Sequence, residues 1–406
     1  MKIRKISIVL FCIVILISAC QSFSTDGLSN AQMTAIAGTV TAFYNEKTLT
    51  PAVPTETPTK VEDTQTPTPT PTETPPISSV LIGPNSYPEG VNPLTGLEVE
   101  NPDLLKRRPV IMKVSNHQID YQPHWGLSSA DIVFEYFIGW GANRFAALFY
   151  GQDVDRVGPV RSIRRVDGQL GSLYEAVVGS TGGNQENVLP YLESYISGRY
   201  FADKYLCPGV CDDGRNVVYS VFGNTAALSN YFRQNNVYLD DPQLYGMAFR
   251  GDAPEGGQKA DSAWVHWSYA DYSQWVYNGE SGKYVQWAMG ESTANVFKPL
   301  IDQNTGEPLE FANVVFLKTH YTEHNGTLHT VDLIGNTEGK TAFVFRDGQA
   351  YDVLWKTPAN NKPIQFFDAE GNVFPFKPGN TWIVIVGQSS PLEIEDGDWS
   401  ISFSLP

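Results

Sequence analysis

Val110-Ile111-Met112-Lys113-Val114, Ile132-Val133-Phe134-Glu135-Tyr136-Phe137 and Phe145-Ala146-Ala147-Leu148-Phe149-Tyr150 are runs of strand length in which apolar residues do not alternate with polar ones. Continuous runs of this kind read as strands covered on both faces. Turn signals separate them. Two stretches with helical character follow, at 168–178 and at 224–236, the second opened by Asn224 as an N-cap. Strands interleaved with helices predict a mixed α/β domain over 91–249. Residues 250–260, rich in Gly and charge, read as a linker or long loop.

Beyond the linker the pattern changes. Trp264–Trp267, Tyr284–Trp287, Asn313–Lys318, Thr341–Phe345 and Thr381–Val386 are short strand candidates. Between them stand Asn278-Gly279, Asn304-Thr305-Gly306, Asn325-Gly326 and Asp347-Gly348, which are turn signals. A mostly antiparallel β domain over 260–406 is expected, so the fold class is α+β.

Upstream, the basic start at Lys2, Arg4 and Lys5, the apolar run Ile6–Ile17 and Ser18-Ala19-Cys20 have the form of a lipoprotein signal peptide, residues 1–19. Cys20 would become the lipidated first residue and attach the protein to a membrane. Residues 20–90 read as a tether. Its stretch 51–76 holds eight Pro and nine Thr, a composition that cannot bury a core and that favours polyproline II. At ~3.1 Å per residue that stretch reaches about 80 Å, far enough to bring a wall polymer within range. The expected location is the outer face of the bacterial cytoplasmic membrane or the cell surface.

Composition narrows the function. Hydrophobic residues make up 42% of 406 and aromatics 12%, which excludes a wholly disordered chain. The formal charge is −16, and losing the three cations of residues 1–19 takes it to −19. Nucleic acid is therefore not an expected partner, and any anion site must be local. Of the four cysteines, Cys207 and Cys211 remain for the folded part; a small loop-stapling disulfide is expected of them, with two thiols or half of a zinc site as the alternatives.

Asn92-Pro93-Leu94-Thr95-Gly96, Arg108-Pro109-Val110, Asn116-His117, Ala130-Asp131 with Glu135, Arg144-Phe145 and Gly158-Pro159-Val160-Arg161-Ser162 with Arg164 resemble the DUF3048 family of YerB-type lipoproteins. The second half is similar too, through Val331–Gly335, Phe345–Gly348, Trp355-Lys356 and Pro378–Ile383. The resemblance implies a two-domain envelope lipoprotein without implying a chemistry.

Four of thirteen arginines, Arg156, Arg161, Arg164 and Arg165, fall within ten residues beside Gly158-Pro159. Guanidinium groups hold carboxylates and phosphates in bidentate geometry, so an anion pocket using Arg161, Arg164, Arg144, Asn116 and His117 is one reading. Structural ion pairs with Asp131, Glu135, Asp153, Asp155 and Asp167 are the other. Asp131 and Glu135 are also the candidate acid and base of a glycan-cleaving enzyme. His320-Tyr-Thr-Glu323-His324 has the string of inverted zinc peptidases but lies in strand context. With Asn325-Gly326 as a two-residue loop, His320, His324 and His329 would share one strand face as a weak metal site. Asp302–Gly306 reads as a turn rather than a calcium loop, and Trp264, Trp267, Trp275 and Trp287 as core and cross-strand packing before a sugar platform. No P-loop, G-x-G-x-x-G, G-x-S-x-G or Ser-x-x-Lys motif occurs, and no cofactor is expected. The expected function is non-catalytic binding of an anionic wall glycan or peptide; the alternative is a hydrolase or transferase using Asp131 and Glu135. Oligomeric state has no signature in the sequence.

Overall fold

The structure, a computed structural model, describes residues 79–116, 123–215, 220–237, 241–268, 271–289 and 297–405. Residues 1–19, expected to be a signal peptide, Cys20, the Thr/Pro-rich stretch and His117 lie outside the described residues. In chain order, the elements used below are β1 (Val110–Ser115), β2 (Ile132–Gly139), β3 (Ala142–Phe149), α1 (Arg165–Leu173), β4 (Val177–Ser180), α2 (Leu189–Ile196), β5 (Tyr200–Ala202) and α3 (Thr225–Gln234). The second half adds β6 (Gln258–Lys259), β7 (Ser262–Ser268), β8 (Asp271–Asn278), β9 (Lys283–Met289), β10 (Asn313–Thr319), β11 (Tyr321–Asn325), β12 (Leu328–Val331), β13 (Lys340–Arg346), β14 (Gln349–Lys356), β15 (Thr381–Gly387) and β16 (Asp398–Ser402).

The fold is α+β, with α1, α2 and α3 all drawn from the first half. The two sequence halves nevertheless build one sheet. Its order is β6-β14-β13-β10-β15-β2-β3-β1-β4-β5, eleven-stranded among the described residues with Gln365–Phe367 added to β14. The seam is β2 against β15, parallel from Ile132↔Thr381 to Tyr136↔Ile385. The change of pattern at 250–260 thus separates stretches of sequence but not sheets, and all described residues fall in one compact unit. A second sheet, with β9, β8, β7 and β16 in that order, contributes Trp267 and Trp275 to the first. Trp382, on β15 and fully buried, has Phe145, Phe311 and Trp275 rings at 4.9, 4.9 and 5.8 Å.

The central runs are strands because they are almost wholly apolar: β2 is buried at every position, as is β1, with Glu135 and Lys113 buried among them. The helix expected at 168–178 is displaced. It occupies Arg165–Leu173, Glu175 takes φ +50, and the β-branched pair Val177-Val178 goes into β4. Asn224 caps α3 as expected, accepting from Ala227 N at 2.8 Å. The helix α2, opened by Pro190 in its first turn, is additional to those expected. Asp302 heads a turn closed by Gly306 N at 2.7 Å, and its carboxylate accepts from Gly126 N, Ser128 N and Ser128 Oγ, fastening that turn to the first half.

β1, β2, β4, β10 and β15 run in one direction, so their carboxyl ends lie along one edge of the sheet. Open sheets with parallel strands place ligand sites at that edge.

Candidate functional site

At the carboxyl edge, on the face covered by α1, positive charge accumulates. Arg144 stands opposite both Ser115 of β1 and Tyr136 of β2, with its Nη1 3.5 Å from Ser115 Oγ. The chain after Pro159 lies along β1: Arg161 N donates to Lys113 O, and Arg161 O accepts from Thr181 N at the end of β4. Arg164 follows as the N-cap residue of α1, its Nη1 donating to Ser162 O and Ile163 O. Burial first, then the neighbouring Arg164 and Arg161, brings Arg144 down to about 10. Among the described residues neither Arg144 nor Arg164 forms an ion pair, and the Nε of each is buried without an acceptor. A polar atom so placed costs free energy until something meets it.

The floor beneath is Lys113, Tyr136 and Asp167. Lys113 Nζ donates to Tyr136 Oη, which donates to Asp167 Oδ1; Lys113 and Asp167 side chains are 0% exposed and 3.7 Å apart. The other oxygen of Asp167 accepts from Arg164 N at 2.7 Å, fixing the start of α1. Burial pushes the Lys113 ammonium down to about 7, with Arg164 and Arg144 adding to the fall and Asp167 opposing it. The sequence carried a signal for this residue, a lysine inside an otherwise apolar strand.

The remaining cations of the run have other partners. Arg156 pairs with Asp213 at 3.2 Å and lies 3.4 Å from the centre of the Phe222 ring. Arg165 donates to Asn187 O and to Thr330 Oγ1, tying α1 to β12. Gly158, at φ +152, leads into the cluster; a Cβ there would stand 2.9 Å from Val160 N.

Asp131 and Glu135 are not in the site. Asp131 accepts from Tyr150 N, Gly151 N and Asn92 Nδ2, bracing the end of β3. Glu135 points to the opposite face of β2 from Tyr136, where Trp267 Nε1 (2.9 Å), Ser273 Oγ (2.6 Å) and Trp382 Nε1 (2.8 Å) donate to it. Burial raises them to about 6 and about 7, against the pull of those hydrogen bonds. Both carboxylates are enclosed and fully engaged, so neither is positioned as an acid or base facing an open cleft. Nor does either neutralise an arginine of the cluster by direct contact.

Asn116 is half-buried and donates to Asn143 Oδ1 at 2.6 Å, on the face toward β8. Cys207 and Cys211 are joined by a disulfide. The imidazole arrangement does not form. The hairpin pairs Glu323 with His329 and Asn325 with Leu328, with an irregularity at His324. That register places His329 opposite Glu323 instead of Thr322, away from His324, which bonds Thr330 Oγ1 at 2.8 Å. Among the described residues no three His, Cys, Asp or Glu side chains gather as metal ligands. Burial lowers the pKa of His329, with Glu323 opposing and the charges of His324 and Arg164 adding to the fall.

Comparison with known proteins bears on the whole assembly. Residues 94–238 match the model described as "Protein of unknown function (DUF3048) N-terminal domain", and residues 263–383 match the corresponding C-terminal domain. A Bacillus subtilis (strain 168) relative named "Putative lipoprotein YerB" is 25% identical over 311 residues, 75% of this chain and 89% of the relative. The crystal structure of YerB from Bacillus subtilis superposes with a TM-score of 0.61 at 24% identity, covering 73% of this chain and 96% of that one, which shows a shared fold. With both family domains in tandem and a sheet that runs through them, the chain belongs to the DUF3048 family.

Proposed function

We propose that this protein is a lipoprotein held by Cys20 on the outer face of the cytoplasmic membrane or at the cell surface, where it binds an anionic envelope component through Arg144, Arg161 and Arg164. The observation that carries this reading is the crowding of Arg144, Arg164 and Lys113 at the carboxyl edge, with Arg144 and Arg164 each keeping a buried Nε that has no acceptor among the described residues. A protein of charge −16 gains nothing from concentrating like charges there unless a bound anion offsets them. The name of the Bacillus relative supports the lipid anchor, and among the described residues no helix is long and apolar enough to cross a membrane. The enclosure of Asp131 and Glu135 supports binding over glycan cleavage by that pair.

The test is titration calorimetry of the soluble domains with inorganic phosphate and with solubilised wall polymer. Arg144→Met should weaken binding by about 1.5–3 kcal/mol, roughly tenfold to a hundredfold, and added salt should weaken the wild type. Equal affinity in wild type and variant would remove the site. Fatty-acid labelling that persists in Cys20→Ala would remove the anchor.

A further inference from the structure

The hairpin joining β2 to β3 pairs Gly139 with Ala142, leaving Trp140 and Gly141 as a two-residue loop with φ +52 and +71. Positive φ at both positions is the type I′ turn, whose first place ordinarily holds Asn, Asp or Gly. A tryptophan there works against the backbone, and it gains no burial in return: Trp140 is 86% exposed, the largest exposure among the big apolar side chains described. Both effects oppose folding, and strain combined with exposure points to use outside the fold.

The loop packs closely on its neighbour. A Cβ on Gly139 would lie 2.0 Å from Gly326 O, and one on Gly326 would lie 2.9 Å from Trp140 Nε1, so two glycines let the tip of this hairpin rest on the tip of the β11–β12 hairpin. That second hairpin leads back to the arginines: Thr330 receives Arg165 Nη1, and His329 packs against Phe137, ring centres 5.1 Å apart. His329 is 8% exposed and neither ring nitrogen has a hydrogen-bond partner in the described structure; Glu323 Oε1 stands 3.9 Å from Nε2. Along β3, the loop is about 10 Å from Arg144 at ~3.4 Å per residue.

We propose that the ligand of the arginine site is an anionic oligosaccharide, and that Trp140 forms its second subsite by stacking on a sugar ring beyond the charged one. This rests on the anion site proposed above. An exposed indole offers a flat apolar face with a polar edge, matching the C–H face of a pyranose, while the guanidinium groups take the acid function. A phosphatidylglycerol headgroup would supply the anion but no sugar ring for the indole to stack on.

Trp140→Asn is the informative variant, since Asn accepts the turn's backbone, and thermal unfolding confirms that it folds. Calorimetry would use inorganic phosphate, glucuronate, and a tetrasaccharide alternating glucuronate with N-acetylglucosamine. The wild type should bind the tetrasaccharide at least tenfold more tightly than glucuronate. Trp140→Asn should lose that gain while keeping phosphate and glucuronate affinity within twofold. Arg144→Met should weaken all three. Tetrasaccharide binding no tighter than glucuronate, or unchanged in Trp140→Asn, overturns the subsite and leaves the anion site standing. A wild type that binds neither phosphate nor glucuronate overturns the anion site. Binding to phosphatidylglycerol vesicles that is lost in Trp140→Asn would make the tryptophan a lipid contact and overturn the glycan assignment.

Discussion

Glu135 and Lys113 are both fully buried charges on parallel strands of one sheet, yet the two faces they occupy treat charge in opposite ways. Toward the second sheet, Glu135 meets three donors from strands that come together only in the folded chain. Toward α1, Lys113 and the arginines near it repel one another, and Asp167 already serves Tyr136 and the backbone of Arg164. A buried charge whose partners all belong to the chain is part of the scaffold; a crowd of like charges is held by the scaffold for something else.

The sharpest way to break this contrast is Glu135→Leu. It takes the acceptor from Trp382 Nε1 and Ser273 Oγ and leaves Trp267 Nε1 only its 3.3 Å bond to Ser273 Oγ, and should cost about 3–5 kcal/mol in denaturant unfolding. A cost under ~1 kcal/mol would mean that Glu135 is no more structural than the cations.

The second effect is a pH profile. Lys113 falls to about 7 when folded, from 10.5, so between those values the unfolded chain binds more protons than the folded one. Stability should therefore rise with pH across that window, by at most about 1.4 kcal/mol per unit. Unfolding of wild type and Lys113→Met at pH 7.5 and pH 9.5 checks this: the variant should lose most of the rise, and parallel profiles would place the lysine among ordinary paired charges.

The smallest effect is on the other side of the comparison. Arg144→Met removes a repelled cation and keeps an apolar stem, so stability should change by less than ~1 kcal/mol or increase, even as anion binding falls. A large loss of melting temperature would show that Arg144 belongs to the scaffold.

Much of the scaffold was legible in the sequence. The apolar runs of β1, β2 and β3 and the Asn224 cap are local signals, and the structure keeps them. The Cys207–Cys211 disulfide was the reading the spacing of the pair favoured, and the structure holds it. Helix α1 was displaced because Val177-Val178 could continue a helix or begin a strand, and the left-handed Glu175 settles that. The histidines were misplaced by one position of register, since a two-residue loop can be drawn in more than one place through Thr322-Glu323-His324-Asn325-Gly326-Thr327. Arg161 and Arg164 were visible as a cluster. Arg144 was grouped with them in the expected anion pocket; Lys113 was not, because strand pairing decides which side chains share its face of β1.

By itself the sequence supported compositional readings: a start with the form of a lipoprotein leader, a Pro/Thr-rich stretch that cannot bury a core, a mixed α/β half and a β half. Those depend on residue type and near-neighbour spacing, which a chain carries without folding. Only the tertiary structure decided that β15 joins β2 and makes the two halves one sheet, that Glu135 belongs to the tryptophans while Lys113 faces the arginines, and that Trp140 stands exposed on a turn suited to asparagine. Which face a strand residue takes, and which charges it meets there, depends on partners hundreds of residues away, and pairing energies of that kind have no local trace.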